Sequence, residues 1–158
     1  GSLREQGYTA QEIDAVLSLN LQNLSDIPKR LAAVRAFTAL PEAVSLAAAN
    51  KRVGNILKKT ADVISAQVDV SLLQESAEQT LHQALVDMLP ITDKAFAAGD
   101  YTASLQTLAV LKSPIDTFFD HVMVNAEDES LRKNRLALLA QLHQVMNRVA
   151  DISKLATT

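Results

Sequence analysis

The residues best spaced to do chemistry in this sequence are cations. Lys51, Arg52, Lys58 and Lys59 lie close together, with Asn55 among them. On a helix, at about 100° per residue, these five fall within an arc of roughly 120°. Leu46, Ala49, Val53, Ile56 and Leu57 fall on the other side. One face would bury, and the other would present four positive charges and an amide. Like charges this dense repel by about 0.2–0.5 kcal/mol per neighbouring pair. A polyanion relieves that repulsion, and the phosphates of a nucleic acid are the obvious candidate. The alternative is a solvated face neutralised by an acidic part of the chain folded beside it.

Arg135 is the second candidate. On a C-terminal helix it falls at the centre of an arc holding Leu131, Leu139, Leu142 and Met146. A guanidinium on an apolar face must find a carboxylate or suffer desolvation. Asp116 and Asp120, on the preceding helix, are the expected partners. Its role is either this internal tie or a donor to a nucleotide. Arg132 lies toward the edge of the same face and is freer to reach outward. Phe118-Phe119 has the chemistry to stack bases, but adjacent helical positions read better as core and core edge.

Other chemistries lack their parts. Cys 0 excludes a disulfide scaffold, a thiolate zinc site and cysteine catalysis. His82, His121 and His143 are too scattered for a metal pair at i, i+4. Gly7, Gly54 and Gly99 make no phosphate loop. Glu127-Asp128-Glu129 suits the positive end of a helix dipole. No nucleophile–base arrangement is present, so the chain itself is read as non-catalytic, without cofactor or metal.

The net charge of -3 conceals an uneven layout. Residues 3–26 set Arg4 against four acids. Residues 27–61 set seven cations, Lys29, Arg30 and Arg35 among them, against Glu42. Residues 62–100 set Lys94 against seven acids, and residues 101–158 balance. A local polycation is thus followed by a local polyanion.

The elements that must position these groups are helices. Gly 4, Pro 4, 4% aromatics and 48% hydrophobic residues disfavour sandwiches and barrels. Thr9-Ala10-Gln11-Glu12 is a capping box, with Ile13, Val16 and Leu17 on one face of the helix that follows. Ser25 or Asp26 caps a second helix with Pro28 in its first turn. A third runs from Pro41 to about Lys59, and residues 62–71 form a connection. A long helix follows from about Glu75 to Ala98, where Pro90 predicts a kink or break. Gly99 and Asp100 end it and start a helix over 101–111. Ser113-Pro114 caps another, and the last runs from about Asp128 to Val149. The expected architecture is an all-α bundle of about six to eight helices. No apolar run approaches the roughly 20 residues of a membrane span.

The segment from Ser113 to Leu139 closely resembles the C-terminal DALR anticodon-binding domain of aminoacyl-tRNA synthetases. It is most similar to that of bacterial glycyl-tRNA synthetase β subunits. Asp128-Glu-Ser-Leu131-Arg132 resembles the run for which the domain is named, with Ser130 where alanine is typical. Ala48-Ala-Asn-Lys-Arg-Val-Gly-Asn-Ile-Leu57 is similar to a second family block, on the basic helix, and Val149–Leu155 to the family's ending. Arginyl-tRNA synthetases share the pattern and are the alternative parent. A helical protein-interaction module without RNA binding is the other alternative.

The resemblance implies a cytoplasmic α2β2 ligase. Its α subunit would activate glycine with ATP and Mg2+, and its β subunits would supply tRNA binding. This chain would grip the anticodon arm of glycine tRNA, whose anticodons carry two cytosines. Their recognition pairs Arg, Lys or Asn donors with an acid or a backbone carbonyl. Lys51, Lys58 and Lys59 are assigned to phosphates, and Arg52, Asn55 and Arg132 nearer to bases. Gly1-Ser2 reads as a tag remnant. Residues 3–158 read as one helical domain excised from a longer chain.

Overall fold

A computed structural model describes residues 6–19, 24–65 and 67–156. The expected tag remnant, Gly1-Ser2, lies outside the described residues. Seven α-helices form among those described: α1 Ala10–Leu17, α2 Ile27–Thr38, α3 Ala43–Lys59, α4 Ser76–Ala97, α5 Tyr101–Gln106, α6 Lys112–His121 and α7 Glu129–Met146. Short 3-10 turns at Leu24–Asp26, Val70–Leu72, Thr107–Leu111 and Ile152–Leu155 complete the regular structure of the described residues. The all-α bundle is as the sequence predicts.

Local chemistry sets most helix ends. Thr9 Oγ1 accepts from the Glu12 amide, and Glu12 Oε1 accepts from the Thr9 amide, so two amides at the start of α1 are satisfied reciprocally. The Glu12 carboxylate also receives the Arg35 guanidinium at 2.8 Å. Burial pushes the Glu12 carboxyl up, but its bonds from Arg35 and Thr9 outweigh this and hold it below the usual carboxylate range. Gly99 ends α4 at φ 76°, a left-handed conformation that favours glycine. Asp100 then caps α5 through the Ala103 amide, and Asp128 caps α7 through the Leu131 amide.

Several expectations are corrected. Of the kink or break expected at Pro90, the break does not occur, since α4 continues through it. The carbonyl deprived of its amide partner belongs to Val86, which is exposed, so water can serve it. The helix expected over 101–111 tightens to 3-10 geometry at Thr107. Helix α6 starts at Lys112, ahead of Ser113-Pro114, because a proline is tolerated in a first turn that needs no internal amide donor. Leu17 is exposed, and α1 buries Glu12, Ala15 and Val16. Asp26 caps nothing with its side chain; its carboxylate accepts from the Tyr101 hydroxyl at 2.9 Å.

The core is centred on α7, where residues 134–139 are all buried, so this helix is enclosed on every side there. Helix α4 packs against α5 and α6 through Leu81, Leu85 and Met88, and α2 packs on α5 through Leu31, Val34 and Phe37. The 3-10 turn Ile152–Leu155 sits against both α1 and α3. The Asp151 amide donates to the Ala15 carbonyl at 2.8 Å. Arg30 is buried and donates from Nη1 to the carbonyls of Arg148 and Val149. Its guanidinium lies 4.7 Å from the Tyr101 ring centre.

Candidate nucleic-acid interface

Helix α3 divides as its pattern demands. Leu46, Ala47, Asn50 and Val53 are buried, while Lys51, Arg52, Asn55, Lys58 and Lys59 are all exposed. Asn50 fixes the rotation of this helix. It exchanges two amide hydrogen bonds with Asn147, at 2.6 and 2.9 Å, just beyond the end of α7. Burying that amide is tolerable because its carbonyl and its amino group both find a partner. Lys58 and Lys59 occupy the last turn, where the helix dipole favours positive charge.

Most of the acidic stretch is engaged elsewhere. Asp69 caps the turn Val70–Leu72, Asp100 caps α5, and Glu75 closes a capping box with Glu78. Glu78 turns inward, Asp87 accepts from Gln83, and Asp93 pairs with Arg148. Asp62 alone among the seven lines a cleft with a residue of the basic face, and its partner is Arg132. No ion pair among the described residues involves Arg52, Lys58 or Lys59. The polycation is narrower than the count over 27–61 implies, because Arg30 is buried and Arg35 is committed to Glu12.

Arg52 lies over the Phe119 ring, 4.0 Å from its centre. Phe118 is fully buried and Phe119 half-buried, the core and core-edge arrangement expected of the pair. The ring therefore holds one side of a guanidinium whose residue stays exposed.

Three clefts adjoin the basic part of α3. A space of 620 Å³ separates it from the C-terminal turn, with Lys51, Lys58 and Lys154 at its edge and Asn50, Gly54 and His143 deeper in. A shallower one of 420 Å³ runs over Arg52, Asn55 and Lys59. The third, of 530 Å³, lies between the end of α3 and the start of α7. Burial depresses the His143 imidazole below its ordinary range, against the pull of Asp151 and with help from Lys58.

The two C-terminal arginines differ from expectation. Arg135 is buried, and its Nη2 donates to Glu78 at 2.9 Å across the core. Its Nη1 donates to the Met123 carbonyl. Asp116 and Asp120 are exposed on α6, and Asp116 is held by Lys112, so neither is the partner. Arg132 does not reach freely outward. Its Nε meets Asp62 at 2.7 Å and its Nη1 meets the Ala126 carbonyl at 3.1 Å. Asp62, Asn50, Asn125, His143 and Lys154 line the clefts beside α3 and are not among the site candidates the sequence offers. Only the block around Asn50 carried any signal of them. Among the described residues, no group of three or more His, Asp or Glu comes together to hold a metal ion. No single helix there is long and apolar enough to cross a membrane.

A helical bundle that exposes Lys51, Arg52, Lys58 and Lys59 along one helix is a module suited to a phosphate backbone. Residues 46–156 match the DALR anticodon binding domain, and the chain belongs to that family. It is 67% identical over 156 residues to the glycine–tRNA ligase beta subunit of Dechloromonas aromatica (strain RCB). It is 67% identical over 156 residues to that of Methylobacillus flagellatus, and 68% identical over 155 to that of Janthinobacterium sp. (strain Marseille). These alignments take 98–99% of this chain and 22% of each relative. The chain thus spans about a fifth of the length of the curated relatives it matches.

Proposed function

We propose that the exposed side of α3 grips the anticodon arm of glycine tRNA. The observation that carries this reading is an exposed cationic helix face, on which Arg52, Lys58 and Lys59 make no ion pair among the described residues, in a chain of the DALR anticodon-binding family. Lys51, Lys58 and Lys59 hold backbone phosphates. Arg52, over the Phe119 ring, and Asn55 lie nearer to bases, since a guanidinium plane stacks readily on an unpaired base. On this reading the longer protein is the β subunit of a cytoplasmic α2β2 glycine–tRNA ligase. Its α subunit uses ATP and Mg2+ to activate glycine, and the present chain contributes binding without chemistry.

Titration of the chain with a glycine anticodon stem-loop tests the assignment. The affinity should fall steeply with salt. Lys58→Ala and Lys59→Ala should each weaken binding across sequences and lower the salt slope by about one. If both substitutions leave affinity and slope unchanged, the basic-face assignment is wrong. Tighter binding of an arginine anticodon arm would transfer the chain to the arginine enzyme. The absence of any shift of α3 amides with RNA would leave a protein-interaction module.

A further inference from the structure

The third cleft is built differently from the other two. Its lining includes the apolar Ile56, Val124 and Leu136. Lys59 and Asn125 are exposed along it, and the half-buried pair Asp62–Arg132 closes one side. Its 530 Å³ falls within the roughly 300–1,000 Å³ of sites that hold one small ligand.

The hydrogen-bonding capacity of the pair is only partly used. Arg132 donates from Nε to Asp62 Oδ2 at 2.7 Å, from Nη2 to Oδ1 at 3.4 Å, and from Nη1 to the Ala126 carbonyl at 3.1 Å. A guanidinium has five N–H bonds. One on each terminal nitrogen therefore remains without a partner among the described residues. The Asp62 carboxylate likewise keeps acceptor capacity beyond the Arg132 bonds. The pair thus offers an acceptor beside two donors on one rigid unit. Cytosine presents the complement: its N4 amino group donates, and N3 and O2 accept. Uracil reverses two of these positions, with an oxygen at C4 and a proton on N3. A carboxylate facing that oxygen would be repelled.

We infer that this cleft seats a single unstacked base and that Asp62 and Arg132 together select cytosine there. The inference rests on the anticodon-arm reading above, in which each glycine anticodon carries two cytosines. Asp62 would accept from N4, Arg132 would donate to N3 and O2, Ile56 and Leu136 would flank the ring, and Lys59 would meet the adjoining phosphate. Arg132 holds the Asp62 carboxyl below the usual carboxylate range, so it stays an acceptor at neutral pH. The same pair braces the segment after α3 against the start of α7, and the experiment must separate the two roles.

The test uses the whole chain and an anticodon stem-loop in which each cytosine is replaced in turn by uracil or by an abasic sugar. Methyl resonances of Ile56 and Leu136 should shift with the parent loop. An abasic sugar at the seated position should remove that shift while the Lys58 and Lys59 amides still respond. In the protein, Asp62→Asn should cut the preference for cytosine over uracil at that position by about tenfold and leave the salt slope unchanged. If the variant fails to fold, the methyl experiment on the unaltered chain decides. Still methyls beside shifting α3 amides would overturn the pocket and leave the RNA grip standing. An unchanged cytosine preference in folded Asp62→Asn would overturn the selection role. Failure of any loop to bind would overturn both readings.

Discussion

Arg135 and Glu78 form a buried charge pair whose energetics follow from geometry. Glu78 is fully buried and Arg135 nearly so, and they meet at 2.9 Å. Removing one partner strands the other charge in the core. Arg135→Met should lower the unfolding free energy by about 3–5 kcal/mol, measured by urea denaturation. Adding Glu78→Leu should restore most of that loss, because an apolar replacement no longer strands a charge. A single substitution without effect would show that the pair is not desolvated. The sequence made half of this legible. A guanidinium at the centre of an apolar arc announces its need for a carboxylate. It does not announce which one, since Glu78 is 57 residues away and no local pattern marks it. Arg30 was less legible still. Its partners are the main-chain carbonyls of Arg148 and Val149, and any sequence supplies carbonyls.

Among the helices, the ends were legible where the signal is local. Thr9 with Glu12, Gly99, and Asp128 each act within one turn, and each ends or starts a helix as read. The divided face of α3 was legible because burial alternates with a fixed angular period. The clefts beside it were not, because Asp62, Val124, Asn125 and Lys154 reach them from other parts of the chain. Gly54 gives a prediction at this scale. It lies inside α3 with no unusual backbone, and an added Cβ would meet His143 Nε2 at 3.4 Å, an ordinary contact. Gly54→Ala should therefore stabilise the helix by about 1 kcal/mol. The melting midpoint should rise by about 2–4 °C, as read by circular dichroism. A fall in the midpoint would mean that His143 cannot accommodate the methyl group.

Across the whole molecule, the C-terminal turn acts as a wedge between the first helix and the basic one. Ile152 is fully buried there, and the Asp151 amide is bonded to the Ala15 carbonyl. Ile152→Ala should cost about 2–5 kcal/mol through lost burial and the cavity left behind. Amide exchange in α1 and in the last turn of α3 should speed up more than in α4. Equal changes in all three would show that the wedge has no special hold on the basic helix.

The Arg30 contacts with Arg148 and Val149 join residues 118 and 119 positions apart, and the Asn50–Asn147 pair spans 97. During synthesis, the first three helices leave the ribosome long before the residues that lock them. Until residues 147–151 emerge, Arg30 lacks its carbonyls, Asn50 lacks its amide partner and Ala15 lacks its closing bond. The nascent domain must spend most of its translation time without these ties, so chaperones have a defined interval in which to meet it.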